Sequence, residues 1–297
     1  MVPGIEVNQN IVFSFDVEEH YRIEAAANCS TKEETRQLYA DRMVRSTRTL
    51  LDLLAEQNRK ATFFVVGQIA ESHPNLIREI VSGGHELASH SYAHTSIRRL
   101  EAKSFREDLR KSKQALEQVG GCSVVGFRAP TFSVIRPTNW ALDVLAEEGF
   151  LYDSSIYPVH HDRYGVPEAP REPFLAKGPK EKILELPPVT WRKFGQNLPV
   201  AGGGYFRLFP LAFMRRGIAQ TLAQTPSLAM LYFHPWEFDS QQPKLALGRI
   251  SRWRTYVGIK KSIPRLRKLL NRYPGRRAID VVNDLLQSSA SLKQFQI

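Results

Sequence analysis

The sequence predicts an α/β fold, a β/α barrel whose functional groups gather at the C-terminal rim of its strands. Three observations predict it. Short apolar runs of strand length alternate with longer segments of helical pattern, the mark of parallel strands joined by crossover helices. Asp16, Arg128 and His234 each stand just after such a run, where the active site of a barrel lies. The 297 residues, 42% hydrophobic and 24% charged, suffice for one large α/β domain or two ordinary ones and exclude global disorder.

The elements follow in order. Ile11 to Phe15 is a buried strand that ends at Asp16. Residues 31–58 have a helical pattern, with Leu50, Leu51, Leu53 and Leu54 near the end. Residues 61–67 form a second strand. His73-Pro74 opens a helix through Ile77 and Ile80 that Gly83-Gly84 stops. Residues 85–88 are a third strand candidate. Residues 101–119 form a charged amphipathic helix closed by Gly120-Gly121. Val124 to Phe127 is strand-like and delivers Arg128, and a helix runs from Thr138 to Glu148. Residues 158–207 are rich in Pro and Gly and predict long loops or an inserted hairpin. Leu228 to Phe233 is a further strand, ending at His234-Pro235-Trp236.

The net charge of +11 is unevenly placed. Of 41 Lys and Arg, 12 fall between Lys244 and Arg277, a stretch without Asp or Glu; the remaining 29 face 30 acidic residues. A basic segment on a near-neutral body suggests contact with something anionic, such as an acidic polysaccharide or a membrane surface. It equally fits an Arg-rich helix packed through Ile263, Leu266, Leu269 and Leu270. No nucleic-acid-binding module is visible. Cys29 and Cys122 make neither a disulfide framework nor a C-x-x-C metal site. With no leader pattern at Met1 to Asn8 and no stretch near the ~18 apolar residues of a membrane span, a cytoplasmic location is expected.

Chemistry concentrates in Gly84-His85-Glu86-Leu87-Ala88-Ser89-His90-Ser91-Tyr92-Ala93-His94. On a helical turn, positions i and i+4 share a face, so His90 and His94 can point at one cation. Imidazole suits zinc, and a hydrolytic zinc needs a third protein ligand. Asp16 and Glu18 are alternate residues of an extended segment and share one side. One can bind the metal and the other stand near the attacking water; spacing alone leaves the split open.

In this order the motifs resemble the polysaccharide deacetylases with the NodB-homology domain, carbohydrate esterase family 4. The resemblance rests on Phe15-Asp16-Val17-Glu18, Thr62-Phe63-Phe64-Val65 with Gly67, Gly84-His85-Glu86 leading to His90 and His94, Phe127-Arg128-Ala129-Pro130, Asp153, and Leu231-Tyr232-Phe233-His234. It covers about residues 10–240 and implies a distorted (β/α) barrel of the NodB-homology type, residues 1–240. The basic extension, residues 241–297, would pack on it. That extension, with Arg252-Trp253-Arg254-Thr255-Tyr256-Val257-Gly258, resembles a subgroup found with bacterial exopolysaccharide and exosortase loci. The resemblance implies removal of N-acetyl groups from N-acetylhexosamine residues, with Zn2+ or another divalent first-row metal such as Co2+ as cofactor. It casts Asp16 as catalytic base and Glu18, His90 and His94 as metal ligands. Arg128 would hold the base, His234 would act as general acid, and Asp153 would support that histidine. The backbone N–H of Thr131 is a candidate oxyanion donor.

Two departures stand out. The chain has Asp-x-Glu where adjacent aspartates are commoner, and that spacing resembles a branch that also hydrolyses non-polymeric amides. Thr131 replaces an aromatic residue often found after the Arg-x-Pro motif.

Among other residues, Gly202-Gly203-Gly204 is either a plain turn or one that would bring Tyr205 and Arg207 to the cleft. Trp191 and Trp236 are candidates for stacking on sugar rings or for the core. His85 reads as structural; His20, His160 and His161 are candidate cleft residues. No Gly-x-Ser-x-Gly elbow supports a serine esterase. The expected partner is a polysaccharide or oligosaccharide, anionic if the basic segment takes part. Two alternatives remain: a metal-dependent hydrolase of a small amide or cyclic imide, and an inactive carbohydrate-binding or assembly protein.

Overall fold

The computed structural model describes residues 10–27, 29, 32–288 and 291–297. The residues read above for a leader, Met1 to Asn8, and the first residue of the expected 31–58 helix lie outside them. The strands are β1 (Ile11–Val17), β2 (Thr62–Val65), β3 (Glu86–Ser89), β4 (Gly126–Phe127), β5 (Tyr152–Asp153), β6 (Phe174–Lys177), β7 (Lys182–Glu185), β8 (Thr190–Lys193), β9 (Gln196–Pro199), β10 (Ala229–Phe233) and β11 (Lys293–Gln296). The helices are α1 (Glu33–Glu56), α2 (Gly67–Ser72), α3 (Pro74–Ser82), α4 (Ala102–Gly120), α5 (Trp140–Glu147), α6 (Gly203–Leu208), α7 (Leu211–Leu222), α8 (Arg249–Tyr256), α9 (Ser262–Arg272) and α10 (Ala278–Gln287).

The main sheet runs β10-β1-β2-β3-β4-β5-β7-β6-β11, parallel from β10 through β7. β6 returns antiparallel to β7, and β11 lies parallel to β6. Beyond β7 the chain bends onto β10, where Val189 N–H donates to the Met230 carbonyl at 3.0 Å. Isolated bridges from Pro188 to Met230 and from Gly202 to Tyr232, rather than a paired strand, close the ring, which makes the barrel a distorted one.

Alternation along each strand sorts the side chains into two cores. Phe13, Phe15, Phe63, Val65, Leu87 and Phe127 point outward into the layer of helices. Val12, Phe64, Ala88, Tyr152, Leu184 and Met230 point inward. Gly126 exists to make room for one of them: a Cβ there would sit 2.2 Å from the Tyr152 ring.

The expected elements are present with shifted ends: β1 runs on to Val17, while β2 and β3 are trimmed or moved by a residue or two. Pro74 opens α3 at its first turn, and Gly84 and Gly121, both with left-handed φ, follow α3 and α4. The 158–207 segment holds two antiparallel hairpins, β6–β7 and β8–β9, rather than a βα unit. In the basic segment, Leu266, Leu269 and Leu270 are buried in the outer core and Ile263 packs against it, as the apolar spacing predicts. The helix after it goes further. Ala278, Val281, Val282 and Leu285 of α10 belong to the inner core and plug the N-terminal mouth. There Ala278 N–H meets Thr62 Oγ1 at 2.8 Å and Ile279 N–H meets Glu86 Oε2 at 2.9 Å. No helix among the described residues is long and apolar enough to cross a membrane.

Candidate active site

The other mouth of the barrel is open and polar. Asp16 and Glu18 leave the end of β1 on the same side, both 2% exposed. Asp16 Oδ1 accepts from Arg128 Nη1 at 2.7 Å. Arg128 is itself fully buried, its guanidinium 4.1 Å from the Phe64 ring centroid and bonded to Ser14 Oγ, Ser154 Oγ and the Ser154 carbonyl. A buried arginine with all three nitrogens engaged cannot wander, so it fixes the Asp16 carboxylate.

His90 and His94 reach the same point by a route the spacing did not suggest. They do not lie on a helical turn. After β3 the chain forms a loop in which Ser91 (φ 63°) and His94 (φ 56°) are left-handed. Asp108 of α4 staples that loop by accepting the N–H groups of Tyr92 (2.7 Å) and Ala93 (3.3 Å). The imidazole centroids end 5.0 Å apart. His90 Nδ1 lies 2.8 Å from the Arg128 carbonyl, so it carries the proton and leaves Nε2 as a free lone pair. Donor atoms of Glu18, His90 and His94 all lie within 4.8 Å of one another. Glu18 Oε2 is buried, lies against His94 Nε2, and accepts no well-formed hydrogen bond. Burial alone would raise the Glu18 carboxyl. The surrounding imidazoles, His94 foremost, pull it far below the usual carboxylate range. Burial pushes His90 down to about 4, so it suits the neutral form a metal requires.

His234 faces this group from the end of β10. Its Nε2 lies 3.9 Å from Asp16 Oδ2 and 3.8 Å from Glu18 Oε1. Burial works against its charge, but Glu237 with Glu18 and Asp16 outweighs it and raises His234 to about 9. Glu237 Oε1 accepts from His234 Nδ1 at 2.8 Å and from its backbone N–H at 3.0 Å. Glu237 Oε2 accepts from Arg207 Nε at 2.6 Å.

This arrangement corrects two expectations, the partner of His234 and the approach of Tyr205 and Arg207 to the cleft. The acid that touches His234 is Glu237, not Asp153. Asp153 bonds instead to Ser154 and Ser155 and pairs with Glu185 beneath Arg128. Burial raises Asp153 to about 6 and Glu185 well above its ordinary value; two buried carboxyls side by side cannot both ionise. Sequence reasoning missed Glu237, although a local signal was there: His-Pro-Trp-Glu places a carboxylate at i+3 of a turn, where it also caps His234 N–H. Arg207 does not enter the cleft but stands behind Glu237, and Tyr205 stacks on Phe209. Nor does any base of the 244–277 segment line the cleft; Arg163 is the one Lys or Arg among its described lining residues.

The cleft is small, about 190 Å³, and its walls include Thr131 (φ 59°), Phe132, Tyr164, Tyr232 and Trp236. Trp236 is nearly buried and donates from Nε1 to Glu18 Oε1 at 3.4 Å, so it orients the carboxylate. His20 lies behind Trp236 at 4.6 Å and bonds Tyr256 at 2.9 Å, outside the cleft lining. His161 stacks on Tyr164, and His160 does not line the cleft. Trp191 packs on Phe213 in the core. His85 is structural, its Nδ1 accepting Ala61 N–H at 3.2 Å.

With this geometry in view, comparison with known proteins is informative. Residues 29–149 match the polysaccharide deacetylase family model, and residues 154–282 match a domain of unknown function, DUF3473. The chain is 30% identical over 98 residues to a peptidoglycan-N-acetylglucosamine deacetylase of Bacillus cereus, covering 33% of this chain and 36% of that protein. It is 29% identical over 114 residues to a chitooligosaccharide deacetylase of Rhizobium leguminosarum bv. trifolii, covering 38% and 49%. It therefore spans less than half the length of these relatives. Two solved structures share its fold across most of both chains. They are a "probable polysaccharide deacetylase" from Pseudomonas aeruginosa PAO1 (TM-score 0.62, 19% identity, 94% and 91% covered) and Puue allantoinase (TM-score 0.62, 17% identity, 94% and 90% covered).

Proposed function

For a chain that carries a polysaccharide deacetylase domain of the NodB-homology type, we propose a metal-dependent hydrolase that removes N-acetyl groups from N-acetylhexosamine residues of a bacterial polysaccharide. One observation carries the reading. A carboxylate locked by arginine, Asp16–Arg128, and an imidazole locked by carboxylate, His234–Glu237, face each other across Glu18, His90 and His94.

The donor set fits a divalent first-row cation such as zinc or cobalt: two imidazole nitrogens and one ionised carboxylate whose Oε2 lies against His94 without a well-formed hydrogen bond. Bound there, the cation supplies Lewis acidity toward the acetyl carbonyl and makes nearby water more acidic. The chain's own groups handle the protons. Asp16, aimed by Arg128, accepts a proton from the attacking water. His234, charged and held by Glu237, gives a proton to the amine nitrogen, since an amide nitrogen leaves only when protonated. The Thr131 N–H is retained as the oxyanion donor. Residues 1–240 carry these groups, and the extension from 241 braces them.

The small cleft supports a second reading, hydrolysis of a small amide or cyclic imide. Acetate release decides between them. Zinc-loaded protein is assayed on N-acetylglucosamine oligomers, bacterial exopolysaccharide and simple amides. Release from the sugars alone supports the first reading; turnover confined to small amides overturns it.

A further inference from the structure

The bases absent from the cleft gather elsewhere. A second cavity, about 470 Å³, lies between the end of α6 and the segment Tyr256 to Lys261. Lys244, Lys260, Lys261 and Arg265 line it. Its one carboxylate, Asp239, is already taken by Arg42, which binds it through two nitrogens at 2.6 and 2.8 Å. Arg207, also in the wall, is taken by Glu237. None of the four remaining cations has a carboxylate within ion-pair distance among the described residues.

Arg265 is the most telling. It is half-buried, and one guanidinium nitrogen is spent on the Phe209 carbonyl. Its Nε is buried without any acceptor. Burial pushes its pKa down, and no neighbouring acid opposes that shift. Leaving a buried charged donor unpaired costs free energy, and an acceptor-rich anion would recover it.

We propose that this cavity is a binding site for a phosphate or diphosphate group, separate from the acetyl-hydrolysing cleft. Four unpaired cations around one hollow match the charge of a diphosphate, and a guanidinium donor pairs well with phosphate oxygens. The source is a soluble phosphate ester or a lipid headgroup. The site also abuts the cleft's supports. Arg207 touches the cavity on one side and holds Glu237 on the other, and Tyr256 lines it while bonding His20.

The test uses the full chain. Inorganic phosphate and inorganic pyrophosphate are titrated calorimetrically. Sedimentation is measured with phosphatidylcholine vesicles that do or do not carry phosphatidic acid. We expect pyrophosphate to bind more tightly than phosphate, and Lys260→Gln/Lys261→Gln to weaken binding at least tenfold with acetate release from a neutral oligomer unchanged. Arg265→Gln should do the same; if it fails to fold, the double variant stands alone. Vesicle binding lost in the double variant assigns a lipid headgroup, and pyrophosphate binding without vesicle binding assigns a soluble ester. No binding of any probe overturns the proposal. So does an equal loss in Lys268→Gln/Arg272→Gln, because those bases lie outside the cavity and would then act only through general charge.

Discussion

At the N-terminal mouth of the barrel, Glu86 is buried and fully provided for. Its Oε1 accepts from Tyr152 at 2.8 Å, and its Oε2 from Thr62 Oγ1 at 2.7 Å and Ile279 N–H at 2.9 Å. At the C-terminal mouth, Glu18 is equally buried, yet Oε2 meets only the His94 imidazole without a well-formed hydrogen bond, and Oε1 has only Trp236 at 3.4 Å. One glutamate is spent on folding, since it stitches α10 into the barrel. The other is left with unsatisfied capacity, and a buried polar atom without a partner needs either a ligand or an explanation. The difference locates chemistry at one end and stability at the other. Substitutions at the two ends should therefore separate activity from stability.

The largest effect belongs to the open end. His90→Ala should lose bound zinc and turnover together, while Asp16→Asn should lose turnover and keep the metal. Metal content by atomic absorption beside acetate release reads both. Equal metal loss in the two variants would reverse the division of labour between Asp16 and Glu18. Next in size, His234→Ala should lower kcat by roughly 10²–10⁴, the usual worth of a general acid. Glu237→Gln should lose less, with KM little changed. An unaffected kcat in Glu237→Gln would remove it as the residue that orients His234.

The open end was the more legible of the two, and unevenly so. Asp16, Glu18, Arg128 and His234 follow directly from strand exits, because alternation and barrel polarity decide where such residues point. The histidine pair was found through an incorrect local geometry. Its convergence depends on two left-handed residues and on Asp108, which sits 14 residues on from His94 in a helix whose charges look like ordinary solvated ones. Asp153 was misplaced because sequence order cannot say which of several carboxylates meets an imidazole. The plug was invisible for a similar reason. The pattern of α10 is that of any amphipathic helix, and nothing local says that its apolar face enters a barrel mouth.

At the plugged end, Glu86→Leu should leave turnover per folded molecule unchanged and cost stability. It strips the acceptor from the Tyr152 hydroxyl, Thr62 Oγ1 and Ile279 N–H, and each buried donor left unpaired costs about 1–3 kcal/mol. A loss of about 3 kcal/mol in denaturant unfolding is expected. A stable variant with impaired zinc binding would instead mean that the two mouths are coupled.

The smallest effect sharpens the same contrast through pH. His85 opens β3 beside the plug, and burial lowers it to about 4 from an ordinary 6.5, with Lys60 and Arg277 adding to the shift. Its Nδ1 must stay unprotonated to accept the Ala61 N–H. The folded value lies below the unfolded one, so the unfolded chain binds more protons in acid. The stability tied to neutral His85 is therefore complete above about pH 6.5 and drains away as pH falls toward about 4. Near pH 5.5 the loss should be about 1 kcal/mol relative to neutral pH. His85→Gln, whose side-chain oxygen can still accept that N–H, should flatten this part of the stability profile. The wild-type slope persisting in His85→Gln would place the acid sensitivity in another buried group and leave the plugged end silent in this range.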